Sequence, residues 1–328
     1  MTLLLTHEDV QKSVAMADAI AAMEAGFREE GEGGVQLPPR TNVKAGKGWL
    51  RVGPVVMEHS GWMGFKAMNL AVGQGVRYQV HLYSVASGAL AAIMDAQFLT
   101  TLRTGATSAV ATRLLARPGA TKVALLGSGA EAKAQLEAMV VAGYVRSAKV
   151  YSPTAANRQA LAVDFRERHG LEITDVATAE EAVADAGIVL AAVKSTEHVF
   201  FGQWLRPGMH VNSVGTARRD QREIDPETFQ RANRIVVDTR EGVFGEAGDA
   251  VAAKDVVRSD EAHELSALVA GSASGRPRGL AGDDEITLFK SVGTGIQDIA
   301  LAAVIFQNAK ARGIGTDIGA FPYLKKGG

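Results

Sequence analysis

The sequence predicts an α/β fold in two parts, a doubly wound parallel sheet and a mixed, mostly antiparallel α+β unit. Three observations carry this. From residue 120 onward short apolar runs alternate with helical stretches, the order of strand–helix–strand units that build a parallel sheet. Before that point, extended pieces follow one another with only turn residues between them, as in an antiparallel sheet. Third, TKVALLGSGAEAKAQLEAMVVAG at 121 to 143 is an apolar strand that runs straight into a glycine turn and a helix.

Taken in order, residues 8 to 30 form an amphipathic helical stretch that ends at the glycine-rich GEGG, and Pro38 and Pro39 then force an extended segment. Strand-like pieces follow at 48 to 56, 62 to 70, 76 to 85 and 89 to 95. A helix over about 98 to 116 leads to Arg117, Pro118 and Gly119, a natural boundary. Strands are expected at 122 to 126, 148 to 152, 188 to 193, 209 to 214 and 234 to 238, and 285 to 313 reads as a strand, a glycine turn and a long helix that returns to the first unit. The domains implied are 1 to 118 with 304 to 328, and 119 to 303.

The glycine turn has a chemical reason. Val123 to Leu126 form the continuous apolar run of a strand covered on both faces. Gly127 permits the sharp turn, Gly129 lets backbone approach a pyrophosphate, and Ala132 allows helix and strand to pack closely. The amides around Ser128, Ala130 and Glu131, at the start of the helix, favour phosphate. This is a dinucleotide-binding start. An NAD enzyme places Asp or Glu at the end of the second strand, to bond the ribose 2′-hydroxyl. Here AKVYSPTAANR offers Ser152, Thr154, Asn157 and Arg158 instead. Arginine pairs with a 2′-phosphate where a carboxylate repels it, so NADP(H) is expected over NAD(H).

Composition narrows the partners. With 328 residues the chain is long enough for two cores. A net charge of −1 gives no basic field for nucleic acid. No apolar run approaches a bilayer-spanning length, and MTLLLTHEDVQ has neither a basic leader nor a signal-like block, so a cytoplasmic protein is expected. There are no cysteines, and the seven histidines are scattered, so no metal is expected.

Three cations outside the nucleotide unit stand out. Strand alternation puts Lys66 on the face of Met68 and Leu70, toward an enclosed space where an ammonium needs a partner. Arg40 follows the rigid Pro-Pro, and Arg103 lies among the small residues Gly105, Ala106, Ser108 and Ala109. Together they suit a clamp for a small carboxylate. His81 shares a face with Arg77, Gln79 and Tyr83 and reads as structural or solvent-facing.

At this point the chain resembles the ornithine cyclodeaminase/μ-crystallin family. LTHEDVQKSVAMADAIAAMEAGF, LPPR at 37 to 40, GFK at 64 to 66, LTTLRTGATSAVATRLLARPGA at 99 to 120, GSGAEAKAQLEA, HVNSVGT at 210 to 216 and ITLFKSVGTGIQDIALA at 286 to 302 resemble its motifs in family order. The resemblance implies a homodimer, a first domain that binds substrate and pairs subunits, and a Rossmann domain inserted before a returning helix. It also implies that Arg40, Lys66 and Arg103 hold the substrate carboxylate. The turns Val214–Gly215–Thr216 and Ser291–Val292–Gly293 would then lie near the nicotinamide.

Two departures shape the activity that the resemblance implies. Cyclodeaminases carry an aspartate two residues after the glycine of the first turn, where this chain has Ala217; Asp220 and Glu223 are substitutes only if the loop folds differently. They also use a glutamate in the segment where this chain has Arg51, which stays protonated and serves anion binding rather than base catalysis. An NADPH-dependent reductase of a small 2-imino acid is therefore expected, acting on a cyclic ketimine carboxylate or an imine of a 2-oxo acid. An ornithine cyclodeaminase with a relocated proton carrier, and a crystallin-like NADPH-binding protein without turnover, are the alternatives.

Overall fold

The computed structural model describes residues 1–271, 282–322 and 324. The first stretch contains β1 (Leu3–Leu5), α1 (His7–Ser13), α2 (Met16–Gly31), β2 (Val35–Gln36), β3 (Thr41–Ala45), β4 (Gly48–Met57), β5 (Trp62–Ala71), β6 (Gly75–Ser84), β7 (Leu90–Asp95) and α3 (Gln97–Leu115). The middle contains β8 (Lys122–Leu126), α4 (Ala130–Val141), β9 (Ser147–Tyr151), α5 (Ala155–His169), β10 (Glu172–Asp175), α6 (Ala179–Val183), β11 (Ile188–Ala191), β12 (His210–Ser213), α7 (Pro226–Arg231), β13 (Arg234–Val237), α8 (Arg240–Glu246), α9 (Gly248–Ala252), β14 (His263–Glu264), α10 (Leu265–Val269) and β15 (Thr287–Lys290). The chain closes with α11 (Gly295–Arg312) and β16 (Thr316–Asp317). Among the described residues no helix is long and apolar enough to cross a membrane.

The predicted helical stretch at 8 to 30 is two helices. Thr6 and Asp9 form a reciprocal cap at the start of α1, while Ala15 is extended, with φ −110° and ψ 168°, and Asp18 Oδ2 accepts from its amide at 3.0 Å. A capping acid inside the stretch therefore restarts the helix. The short strands β1, β3, β10, β14 and β16 carry too little pattern to be read from sequence.

Two compact units result, Met1–Arg103 with Thr294–Gly328, and Thr104–Gly293. The sequence borders fall just after α3, at 118/119, and within α11, at 303/304, whereas these borders follow packing. Within the second unit, Gly105 of α3 lies so near α4 that a Cβ would come 2.3 Å from Ala134 O. Gln135 Nε2 donates to Thr104 O at 3.1 Å and Asn212 Nδ2 to Thr112 Oγ1 at 2.9 Å. Most of α3 is thereby bound to the second unit.

The first unit is built on a sheet in the order β16-β1-β7-β6-β5-β4-β2, with β3 beside β4. Only β1–β7 is parallel among its described pairs. One face, with Val55, Met57, Val80 and Leu82, is buried beside α11; Ile299 of that helix lies 2.9 Å from where a Gly64 Cβ would stand. The other face leaves Val56, Met63, Phe65 and Tyr83 half-buried around a cavity of about 580 Å³.

The second unit is a sheet in the order β10-β9-β8-β11-β12-β15-β13-β14, parallel throughout. The chain steps outward from β8 through β9 to β10, then returns to β11 on the other side of β8. That reversal sets a topological switch point at the carboxyl ends of β8 and β11, where doubly wound sheets take ligands. Its core, with Leu126, Val189, Val211, Val237 and Leu288, supports that edge from below.

Candidate functional site

In the first unit, β5 alternation turns Lys66 onto the buried face. Its register partner on β4 is Gly53, which has no side chain to occupy the space. Lys66 and Arg103 are each 6% exposed, and both reach the same atom of α11: Lys66 Nζ lies 2.8 Å and Arg103 Nε 3.2 Å from Asp298 Oδ1. Arg103 Nη1 also donates to Gln297 Oε1 at 2.8 Å, and Lys66 Nζ to Thr100 Oγ1 at 3.4 Å.

The charges acting on Lys66 are unequal. Burial lowers its pKa most; Asp298 raises it, while Arg103 and Arg40 lower it further, leaving it at about 8. The ammonium thus sits in a field where two guanidiniums oppose one carboxylate. An added anion would relieve it.

Arg40 is half-buried, with Cγ 3.3 Å from the position of a Gly53 Cβ. Arg51 stands on the same face of β4 as Gly53, but its Nε donates to Asn42 Oδ1 at 2.6 Å and its guanidinium lies 5.6 Å from the Trp49 ring centre. The structure therefore gathers Lys66 and Arg103 on Asp298, with Arg40 in electrostatic reach, and directs Arg51 toward β3. His81 stacks on Phe65 at 4.7 Å, on the face opposite Lys66, and burial lowers its pKa.

In the second unit, Gly127 has φ +121°, and a Cβ there would come 2.7 Å from Ala192 O. Only glycine suits this turn. Ala132 is fully buried beneath it. Gly129, by contrast, is extended, and a Cβ there would meet nothing within 4 Å. The protein's own packing does not demand glycine at 129, whereas a phosphate approaching the amides of Ser128 to Glu131 does. The residues fit a dinucleotide. At the end of β9, Ser152 is buried, and Thr154, the residue before α5, is exposed and makes no side-chain capping bond. Asn157 is exposed. Arg158 turns back, with Nη1 3.0 Å from Ser152 O and Nε 3.5 Å from Asp175 Oδ2 at the end of β10.

Buried carboxylates fix the two turns after β12 and β15. Glu223 accepts from Ser213 Oγ at 2.6 Å, Gly215 N at 2.9 Å and Val193 N at 3.1 Å. Asp238 accepts from Ser291 Oγ and Gly293 N, both at 2.6 Å, and from Val292 N at 3.1 Å. Lys290, wholly buried, donates to Ser213, Thr216 and Asp249 and lies 3.5 Å from Glu223. Burial pushes the Glu223 pKa up. Val214, Gly215 and Thr216 are therefore rigid, as are Ser291, Val292 and Gly293. Ala217 follows the first turn, and the nearby acids are committed elsewhere: Glu223 to these amides, Asp220 to an exposed pair with Arg218 that lowers its pKa.

Sequence reasoning missed Asp298, Gln297, Asp238, Asp249 and Lys290, and it weighed Glu223 only as a displaced proton carrier, not as the acceptor that holds the turn after β12. A signal for Asp298 was present, since it is an acid inside the apolar run GIQDIALAAVIF.

The family model described as the ornithine cyclodeaminase/mu-crystallin family matches residues 1–313. Ketimine reductase mu-crystallin of Mus musculus is 29% identical, over 93% of this chain and 96% of its own. The structure of Thermococcus litoralis Δ(1)-pyrroline-2-carboxylate reductase in complex with NADH and L-proline superposes with a TM-score of 0.90 at 34% identity, over 96% of this chain and 100% of that one. An archaeal alanine dehydrogenase dimer with bound NAD gives 0.89 at 31%, over 98% and 99%.

Proposed function

Because the chain belongs to the ornithine cyclodeaminase/mu-crystallin family, we propose that this nicotinamide-dependent oxidoreductase of C–N bonds is an NADPH-dependent reductase of a small 2-imino acid. The substrate is a cyclic ketimine carboxylate or the imine of a 2-oxo acid, and the product an L-amino acid. The observation that carries the reading is the pair of buried cations, Lys66 and Arg103, on the single oxygen of Asp298.

Lys66, protonated at neutral pH with its pKa at about 8, and Arg103 hold the substrate carboxylate, with Arg40 adding charge. Burial excludes water from this contact and strengthens it. Arg51 adds to the positive field from the neighbouring β4 position. Gly127, Ser128, Gly129, Ala130, Glu131 and Ala132 form the turn for the pyrophosphate, and the turns at Val214 to Thr216 and Ser291 to Gly293 bear on the nicotinamide. When bound, the nicotinamide supplies the hydride. Fixing the carboxylate fixes the imine carbon, and that positioning is the protein's contribution to rate.

Ala217 has no proton to give, which weighs against cyclising deamination of ornithine. The end of β9 carries no acid, and Ser152, Thr154 and Arg158 support NADPH over NADH. Because Asp175 draws on Arg158, a preference of about 10-fold is expected, equivalent to about 1.4 kcal/mol. The half-buried apolar face of the first-unit sheet supports a homodimer.

The test is a 340 nm absorbance screen of preformed cyclic imines, and of 2-oxo acids with amines, using both reduced cofactors. Oxidation of NADPH with an imino acid is the expected result. Ammonia release from ornithine without net cofactor consumption, or tight NADPH binding with no turnover across the panel, would replace the reading.

A further inference from the structure

Thr294 is the residue before α11, with φ −129° and ψ 165°, and its side chain makes no capping bond. It is 4% exposed, and its Oγ1 has no hydrogen-bond partner among the described residues. A hydroxyl hidden from water without a partner is unfavourable. The leading amides of an α-helix also lack carbonyl partners within the helix, and over 18 residues the peptide dipoles add to their attraction for an anion.

Several distances locate this helix start. A Cβ on Gly295 would stand 3.4 Å from Gly53 O and 3.3 Å from Val55 Cβ. Gly53 is the register partner of Lys66, and Arg40 flanks it. Asp298, which both Lys66 and Arg103 engage, lies in the first turn of this helix, four residues after Thr294. The start of α11, which carries the orphan hydroxyl, and the cations therefore both border Gly53.

We propose that the Thr294 hydroxyl and the first amides of α11 bind the substrate carboxylate together with Lys66 and Arg103, which makes Thr294 a binding residue of the site. This rests on the imino-acid reading above. A carboxylate presents two oxygens: one faces the ammonium and guanidinium, and the other accepts from the hydroxyl and the helix amides. The cations supply charge, and Thr294 supplies direction. Its hydroxyl keeps donating after Lys66 loses its proton, so part of the affinity is independent of pH.

The test is calorimetric titration of the NADP⁺-loaded protein with pyrrole-2-carboxylate, a planar carboxylate that cannot be reduced here. Thr294→Val keeps shape and removes the hydroxyl; it is expected to bind about 10-fold more weakly, with cofactor affinity and melting temperature unchanged or the latter raised. Thr294→Ser should restore binding to within about threefold. If Thr294→Val binds like the wild type while Lys66→Met does not bind, the inference fails and the functional reading stands. If Thr294→Val loses cofactor affinity or melting temperature in step with binding, Thr294 is structural and the inference is overturned. If the wild-type protein does not bind the probe at all, both are overturned.

Discussion

Each unit of the molecule buries a lysine among ionic partners, and the two clusters are opposites in charge. Lys290 lies wholly inside the second unit with Asp249 at 2.9 Å and Glu223 at 3.5 Å, two carboxylates on one ammonium. Lys66 lies in the first unit with Asp298 as its ion partner and the guanidiniums of Arg103 and Arg40 adding like charge. Where anions outnumber the cation and backbone amides absorb the remainder, the cluster is a strut: Glu223 ties β12 to the loop after β11 through Gly215 N and Val193 N. Where cations outnumber the anion, the proposed part is to take a negative ligand. On this reading two buried lysines differ in function because of what neutralises them.

The sharpest way to break this comparison is to remove each lysine. Lys290→Met leaves two buried carboxylates without their cation and is expected to destabilise the fold by about 3–5 kcal/mol in chemical denaturation. Lys66→Met leaves Asp298 still paired with Arg103 and should change stability by no more than about 1 kcal/mol. Equal losses would mean that the clusters play the same part.

Next in size is Arg103→Ala, expected to lower kcat/KM for any carboxylate substrate by about 100-fold or more, as for loss of a buried charge-assisted pair, with cofactor affinity nearly unchanged. A parallel loss of cofactor binding would assign Arg103 to the fold or to phosphate.

A smaller effect follows from pH. The Lys66 pKa is lowered from 10.5 to about 8, so the ammonium is charged below that value and neutral above it, while the substrate carboxylate is anionic throughout. Accordingly, kcat/KM should fall above about pH 8 toward a lower plateau set by Arg103, and Lys66→Arg should carry the high value further into alkali. A profile that stays flat to pH 10 in the wild type contradicts the charge argument.

The smallest expected change is at Arg158. With Nε near Asp175 and Nη1 on Ser152 O, it has only part of its charge for a 2′-phosphate. Arg158→Ala should erase a preference of about 10-fold for NADPH, read from the dissociation constants of the two reduced cofactors.

Much of the second unit was legible in the sequence because its signals are local. The apolar run Val123 to Leu126 and the spacing of Gly127, Gly129 and Ala132 lie within one strand–turn–helix, and the parallel sheet follows from their repetition. Helix ends were less so: the break at Ala15 depends on one side-chain bond from Asp18. In the site, alternation along β5 exposed the anomaly of Lys66, and the small residues after Arg103 marked a close approach, which Gly105 makes with α4. Asp298 was not legible as their partner. It lies 232 residues from Lys66 in sequence, and no periodicity in a single chain reports a pairing over that separation. Arg51 was singled out from the family segment it occupies, and its partner was as illegible: Asn42, to whose Oδ1 its Nε donates, lies on a neighbouring strand unseen in the sequence.

The central claim is that the excess of positive charge around Lys66 serves an anionic ligand, and it is tested most directly by calorimetric comparison of pyrrole-2-carboxylate with its neutral carboxamide on the cofactor-loaded protein. The account predicts that the acid binds about 100-fold more tightly than the amide, about 2.7 kcal/mol, and that Lys66→Met removes most of that difference. Equal affinity for acid and amide in the wild-type protein would contradict it.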